Sequence, residues 1–176
     1  MNRSGLLKWE LAGILLIIVL GSALHFIFDL SNGWRPLAVI AAVNESVWEH
    51  LKLGFWPALL YSLIEYRYLK KFSSNFLFGK AIGIFLIPVT IAALFYAYTA
   101  FTEDMLAADL TIFVVAVVVG QVSSYRLLTL SPLPLWVNKV GLVLLILLTI
   151  AFGTLTYCVP HSPVFRDPVT GGYGIQ

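Results

Sequence analysis

The sequence predicts an all-α integral membrane protein: a five-helix transmembrane bundle with a short interfacial or re-entrant helix before the second span. Three observations carry that expectation. Of the 176 residues, 60% are hydrophobic and only 11% are charged, whereas a soluble domain carries roughly 25% charged residues. Five stretches are long and apolar enough to cross a bilayer, since about 20 residues rising about 1.5 Å each cover a hydrocarbon core of roughly 30 Å. The connections between these stretches are short, which makes residues 1–176 one transmembrane domain with no room for a soluble one.

The first span runs from about Trp9 to Leu30. It exceeds the roughly 7–15 apolar residues of a signal-peptide core, and no small-residue cleavage site follows, so it reads as a retained span. The second runs from about Trp48 to Tyr68. No strong break precedes it back to Pro36, and one helix over those 33 residues would be about 50 Å long, too long to cross once. Asn44, Glu45 and Ser46 interrupt the run, and Ser46 followed by Glu49 has the spacing of a capping box. Pro36 to Val43 is therefore expected to be a short separate helix, flat on the surface or dipping in and returning.

The third span, Phe76 to Phe101, contains Pro88, which lacks a backbone donor and predicts a kink. Tyr96, Tyr98 and Thr99 lie toward its far end, as interface anchors or cavity-lining hydroxyls. The fourth runs from Leu110 to Leu130, with Gln121, Ser123 and Ser124 as interhelical hydrogen-bonding groups. The fifth runs from Trp136 to Cys158, the single cysteine, which excludes an internal disulfide. No internal repeat is visible, which disfavours an inverted-repeat transporter.

Lys and Arg set the expected orientation. The side shared by the N-terminus and the loops after spans two and four holds Arg3, Lys8, Arg67, Lys70, Lys71, Lys80, Arg126 and Lys139. The other side holds Arg35, Lys52 and Arg166, and its connection Thr102 to Asp109 is acidic. This places the chain in the cell membrane with the N-terminus inside and the C-terminus outside. Trp9 and Trp136 then fit an inner aromatic belt, and Trp34 and Trp48 an outer one. Glu65 is expected to pair with Arg67, Lys70 or Arg126. A net charge of +2 without a basic, aromatic-interleaved segment excludes nucleic acid as a partner; membrane lipids are the expected surroundings.

Ionisable residues within spans are costly and mark functional sites by default. Here they collect. His25 and Asp29 lie four apart near the outer end of span one, and Glu45 and Glu49 four apart at the outer start of span two, so each pair can share a helix face. Asn44, His50 and Lys52 adjoin them, and the antiparallel hairpin brings both ends together. Imidazoles and carboxylates from facing helices suit a divalent metal such as Zn. The candidate ligands are His25, Asp29, Glu45, Glu49, His50 and, from the tail, His161. Ordinary helix capping and dipole stabilisation explain one or two such acids, but not the whole group; H-E-x-x-H is absent. The tail from residue 159 to 176 is rich in Pro and Gly and full of turn signals. It is either solvated, or folded over the outer mouth with His161 or Asp167 joining the cluster and Phe165 and Tyr173 filling apolar gaps.

Leu24-His25-Phe26 with Asp29, the run Val43-Asn44-Glu45-Ser46-Val47-Trp48-Glu49-His50-Leu51-Lys52-Leu53, and the ending Phe165 to Ile175 resemble a family of small bacterial and archaeal membrane proteins. That family is catalogued only as a domain of unknown function. The resemblance implies that the two span motifs and the tail belong together; it brings no activity. Intramembrane ceramidase-like hydrolases also place His and Asp near a membrane face, but with more spans and a paired-His motif that this chain lacks.

Two chemistries fit the cluster. In a metal-assisted hydrolase of a lipid or lipid-linked ester or amide, Glu45 or Glu49 would act as general base and His50 or Lys52 would steady the oxyanion. In a carrier or binding protein, the same groups would capture a cation or small solute at the outer leaflet, with Glu65 and Arg126 at the inner end. A polar latch between helices, as in a structural assembly partner, is the third use of such residues.

Overall fold

Without water to hydrogen-bond the backbone, a long apolar segment must satisfy its N–H and C=O groups internally, and the helix does so. In the computed structural model, which describes residues 3–175, five long helices follow one another: α1 (Arg3–Leu30), α2 (Val47–Leu69), α3 (Phe76–Thr99), α4 (Leu106–Leu128) and α5 (Leu135–Thr154). Four of them, α1, α3, α4 and α5, are long and apolar enough to cross a membrane. The fifth, α2, carries Glu49, Lys52, Glu65 and Arg67. It is also the helix most enclosed by the others, with Glu49, Lys52 and Glu65 all buried, so those charges meet other parts of the protein.

Helices α1, α2, α3 and α4 close a ring of neighbours, and α5 packs on α3. The core midway along the ring is apolar: Ile17, Phe55, Ala58, Ile84, Ile87, Ala116 and Val117. The α3–α4 interface is the most extensive, and small residues permit it. A Cβ on Gly120 would lie 2.6 Å from the Gly83 carbonyl oxygen, and one on Gly83 would lie 2.8 Å from that of Gly120. Pro57 and Pro88 lie inside α2 and α3, each continuous through its proline.

The antiparallel bridge and two of the short 3-10 helices lie at one end, where α1 finishes and α2 begins, while a third, Lys70–Phe72, follows α2 at the other; the first is called the tail end below. The expected helix at Pro36–Val43 is a shorter 3-10 helix, Arg35–Val39. Ala38 and Ala41 are fully buried there, packed with Phe28 and near Ile175. The tail is folded. Its 3-10 turn Pro163–Phe165 leads into an antiparallel bridge between Arg166 and Tyr173. Asp167 ties the turn between them, its carboxylate accepting from the Val169 N–H at 3.0 Å and the Thr170 hydroxyl at 2.6 Å. Gly174, at φ +67°, occupies left-handed backbone, and a Cβ there would also strike Val159 at 2.7 Å.

Three sequence expectations are corrected. The capping box does not form: Ser46 makes no side-chain cap, and Glu49 turns inward to a buried ammonium, a stronger partner than a backbone N–H. Trp48 is not a belt residue, since it stacks on Phe152 at 4.6 Å and packs, tilted, against Phe165 at 4.7 Å. Glu65 pairs with Lys80 of α3 rather than with Arg67, Lys70 or Arg126, because its side of α2 faces the bundle interior.

Candidate functional site

At the tail end, the last turns of α1 present His25, the loop before α2 presents Glu45, and the first turn of α2 presents His50. Glu45 Oε2 lies 3.4 Å from His50 Nε2 and 3.8 Å from His25 Nε2. One ligand atom from each of the three residues falls within 4.8 Å of the others. The imidazole rings meet edge-on at 5.1 Å. His50 Nδ1 lies 2.9 Å from the Ser46 carbonyl oxygen, so it carries a proton and donates it there, while Nε2 is turned to Glu45. Second-sphere hydrogen bonds of this kind fix a ligating imidazole in tautomer and orientation. Asn44 holds the loop in turn, its Oδ1 accepting from the Ser46 N–H at 2.9 Å and its Nδ2 donating to the Gly174 carbonyl at 2.9 Å. All three side chains remain partly open, with Glu45 the most exposed at 49%. The hydrogen bond from His50 holds the Glu45 carboxyl below the usual carboxylate range, against partial burial and with help from the charges of His50 and His25.

A second acidic group adjoins the triad. Tyr98, near the end of α3, has its hydroxyl 2.7 Å from both Asp104 Oδ1 and Asp109 Oδ1. That hydrogen bond keeps the Asp104 carboxyl low. Asp109 belongs to the first turn of α4.

The other residues singled out in the sequence stand apart. Asp29 is exposed in the last turn of α1, outside the triad. His161 is exposed and lies against the Tyr173 ring at 4.7 Å. Glu49 and Lys52 form a buried ion pair at 2.5 Å. Lys52 Nζ also donates to the Ala38 carbonyl at 2.7 Å and to Thr156 Oγ1 at 2.9 Å. Glu49 in turn accepts from the Thr156 hydroxyl at 2.8 Å and the Val43 N–H at 3.1 Å. All three protons of the ammonium are thereby used. The pair joins α2 to the 3-10 helix, to the loop before α2 and to the segment after α5, which is the geometry of a latch.

Sequence reasoning missed a third group, at the opposite end of the bundle. Lys80 of α3 lies 2.6 Å from Glu10 Oε1 of α1 and 2.5 Å from Glu65 Oε2 of α2. Ser124 of α4 donates to Glu10 Oε1 at 3.1 Å, and Gln121 Nε2 donates to the Glu10 carbonyl at 3.4 Å. All three charged side chains are at most 3% exposed. The sequence does carry a signal, since Glu10 and Lys80 both sit inside apolar runs, where an unpaired charge would be costly.

The family model described as "Family of unknown function (DUF6512)" matches residues 1–175. The chain belongs to that family. No curated protein and no solved structure matches it. Membership of DUF6512 brings no activity, so the chemistry must be argued from the side chains. Two imidazoles and a carboxylate converging on one point, open on one side, can hold a divalent cation. The latch cannot do so without giving up bonds it already makes.

Proposed function

We propose that this member of DUF6512 is a membrane protein holding a divalent metal ion, best matched by zinc, between His25, Glu45 and His50, and that it hydrolyses a lipid or lipid-linked ester or amide. The convergence of three ligand atoms within 4.8 Å, with His50 already oriented through its Nδ1 proton, carries the reading. Two His and one Glu form a donor set of catalytic zinc sites, where three protein ligands leave a position for water. A bound ion would supply Lewis acidity and a water of lowered pKa. Glu45 would provide the anionic ligand, and Asp104 and Asp109 would add negative field that favours a cation. Burial in the latch removes Glu49 and Lys52 from direct contact with a substrate; their part would be to fix the loop that carries Glu45. In the expected orientation the site opens at the outer leaflet, where an amphiphile reaches it from the bilayer.

A carrier is the second reading, favoured by the Glu10–Lys80–Glu65 group at the far end of the same bundle. The apolar layer of Ile17, Phe55, Ile87 and Val117 between the two ends argues against a continuous polar path.

Elemental analysis of the purified protein, after zinc loading and desalting, tests the metal. The expected result is about one zinc per chain in the wild type and background in His25→Ala and His50→Ala, with both variants folded. Zinc at background in the wild type, or undiminished in both variants, overturns the site. If zinc binds but no fluorogenic lipid ester or amide in mixed micelles is cleaved faster than by the chelator-treated protein, the hydrolase reading falls and the metal site stands.

A further inference from the structure

The Glu10–Lys80–Glu65 group has a charge problem that the fold leaves open. Two carboxylates share one ammonium, so one negative charge is uncompensated. Each carboxylate spends one oxygen on Lys80, and the other two oxygens, Glu10 Oε2 and Glu65 Oε1, are buried without a hydrogen-bond partner among the described residues. Their side chains are 3% and 1% exposed. Removing Lys80's proton would only double the imbalance. An uncompensated carboxylate out of water takes up a proton in preference to staying charged.

Among the described residues the surroundings supply no other remedy. Among the described residues, the charged and titratable groups facing the pair are Lys80 of α3 and Tyr61 of α2, and Tyr61 spends its hydroxyl proton on the Trp9 carbonyl at 2.7 Å. Helix α4 brings only the neutral Ser124 and Gln121. A metal cation needs several oxygen ligands, commonly about six; here two carboxylate oxygens are free. A proton needs one.

We propose that Glu10 and Glu65 form a proton-binding site, holding one exchangeable proton between them beside Lys80. The proton adds to a free carboxylate oxygen, the group becomes neutral, and no other bond changes. Glu10 lies seven residues into α1, about 10 Å along the helix axis, so the site is shallow enough to exchange with the water at that end. The proposal stands independently of the metal site, which lies fifteen residues further along α1 at His25, about 22 Å away.

Infrared spectroscopy of the full chain in detergent at neutral pH reads the proton directly, as the C=O stretch of a carboxylic acid that moves in D2O. The expected result is a band component lost in Glu10→Gln and equally lost in Glu65→Gln, because either change leaves one carboxylate balanced by Lys80. In Lys80→Met that component should grow twofold, since both carboxylates must then be protonated. Should one glutamine variant fail to fold, the other decides alone. A band that neither glutamine variant diminishes overturns the proposal. So does a component that disappears when sodium replaces choline at constant pH, which would make a metal cation the ligand.

Discussion

Replacing Lys52 by methionine keeps most of its stem packing and removes the charge from the latch. The structure sets the scale of the loss. Glu49 keeps the Thr156 hydroxyl and the Val43 N–H but loses its counter-ion at 2.5 Å, and the Ala38 carbonyl loses the ammonium that donates to it. Both groups stay buried. Removing one partner of a buried ion pair costs about 3–5 kcal/mol, and an orphaned carbonyl about 1–3 kcal/mol; because the two losses share one ammonium, about 4 kcal/mol is expected. At about 2–4 °C per kcal/mol for a chain of this size, Tm should fall by roughly 8–16 °C. The double variant Glu49→Gln with Lys52→Met should recover most of this, since the glutamine Oε1 can still accept from Val43 and Thr156 and no buried charge remains. A double-mutant cycle by unfolding in detergent micelles should give a coupling of at least about 2 kcal/mol. Lys52→Met within about 1 kcal/mol of wild type, or a double variant as unstable as the sum of the singles, would refute the latch.

Other outcomes follow from the same geometry. Gly83→Val places side-chain atoms where the Gly120 carbonyl already stands, so it should cost about 1–3 kcal/mol or more through overpacking and lower Tm, while Gly153→Ala, with open space around it, should not. Phe165→Ala removes a buried ring packed against Trp48. Losses of about 3–5 kcal/mol are usual for such a change, and limited proteolysis should cut the tail after Cys158 in the variant well before the wild type. Because the folded-state pKa of Glu45 is depressed, its pairing contributes stability fully above its ordinary value of 4.5. That contribution is lost as pH falls through the lower folded value. With Glu45 about half exposed, at 49%, it should amount to less than about 1 kcal/mol. Tm measured from neutral pH to pH 3 should show this small acid limb in the wild type and lack it in Glu45→Gln; identical profiles would remove the ion pairs from the account.

The sequence by itself determined the class of molecule and the number and order of its helices, because partition into an apolar solvent is a sum over residues and needs no knowledge of partners. It also pointed to the tail end, since a short hairpin must bring the end of α1 beside the start of α2 whatever else the chain does. Which residues meet there was another matter. Pairing Glu45 with Glu49 assumed helical spacing, but α2 begins at Val47, so Glu45 sits before the helix and reaches His25 and His50 instead. Asp29 shares a face with His25, yet lies four residues, about 6 Å, further along the axis. The two lysine networks were decided only by tertiary structure. Lys80 and Glu10 are 70 residues apart, and Thr156 and Glu49 are 107 apart. Their meeting depends on how each helix is rotated about its axis, which is set by close contacts such as Gly83 on Gly120. Apolar residues surround these charges almost uniformly, so hydropathy carries no record of which side of a helix turns inward. Packing chose that side, and with it the partner of each buried charge.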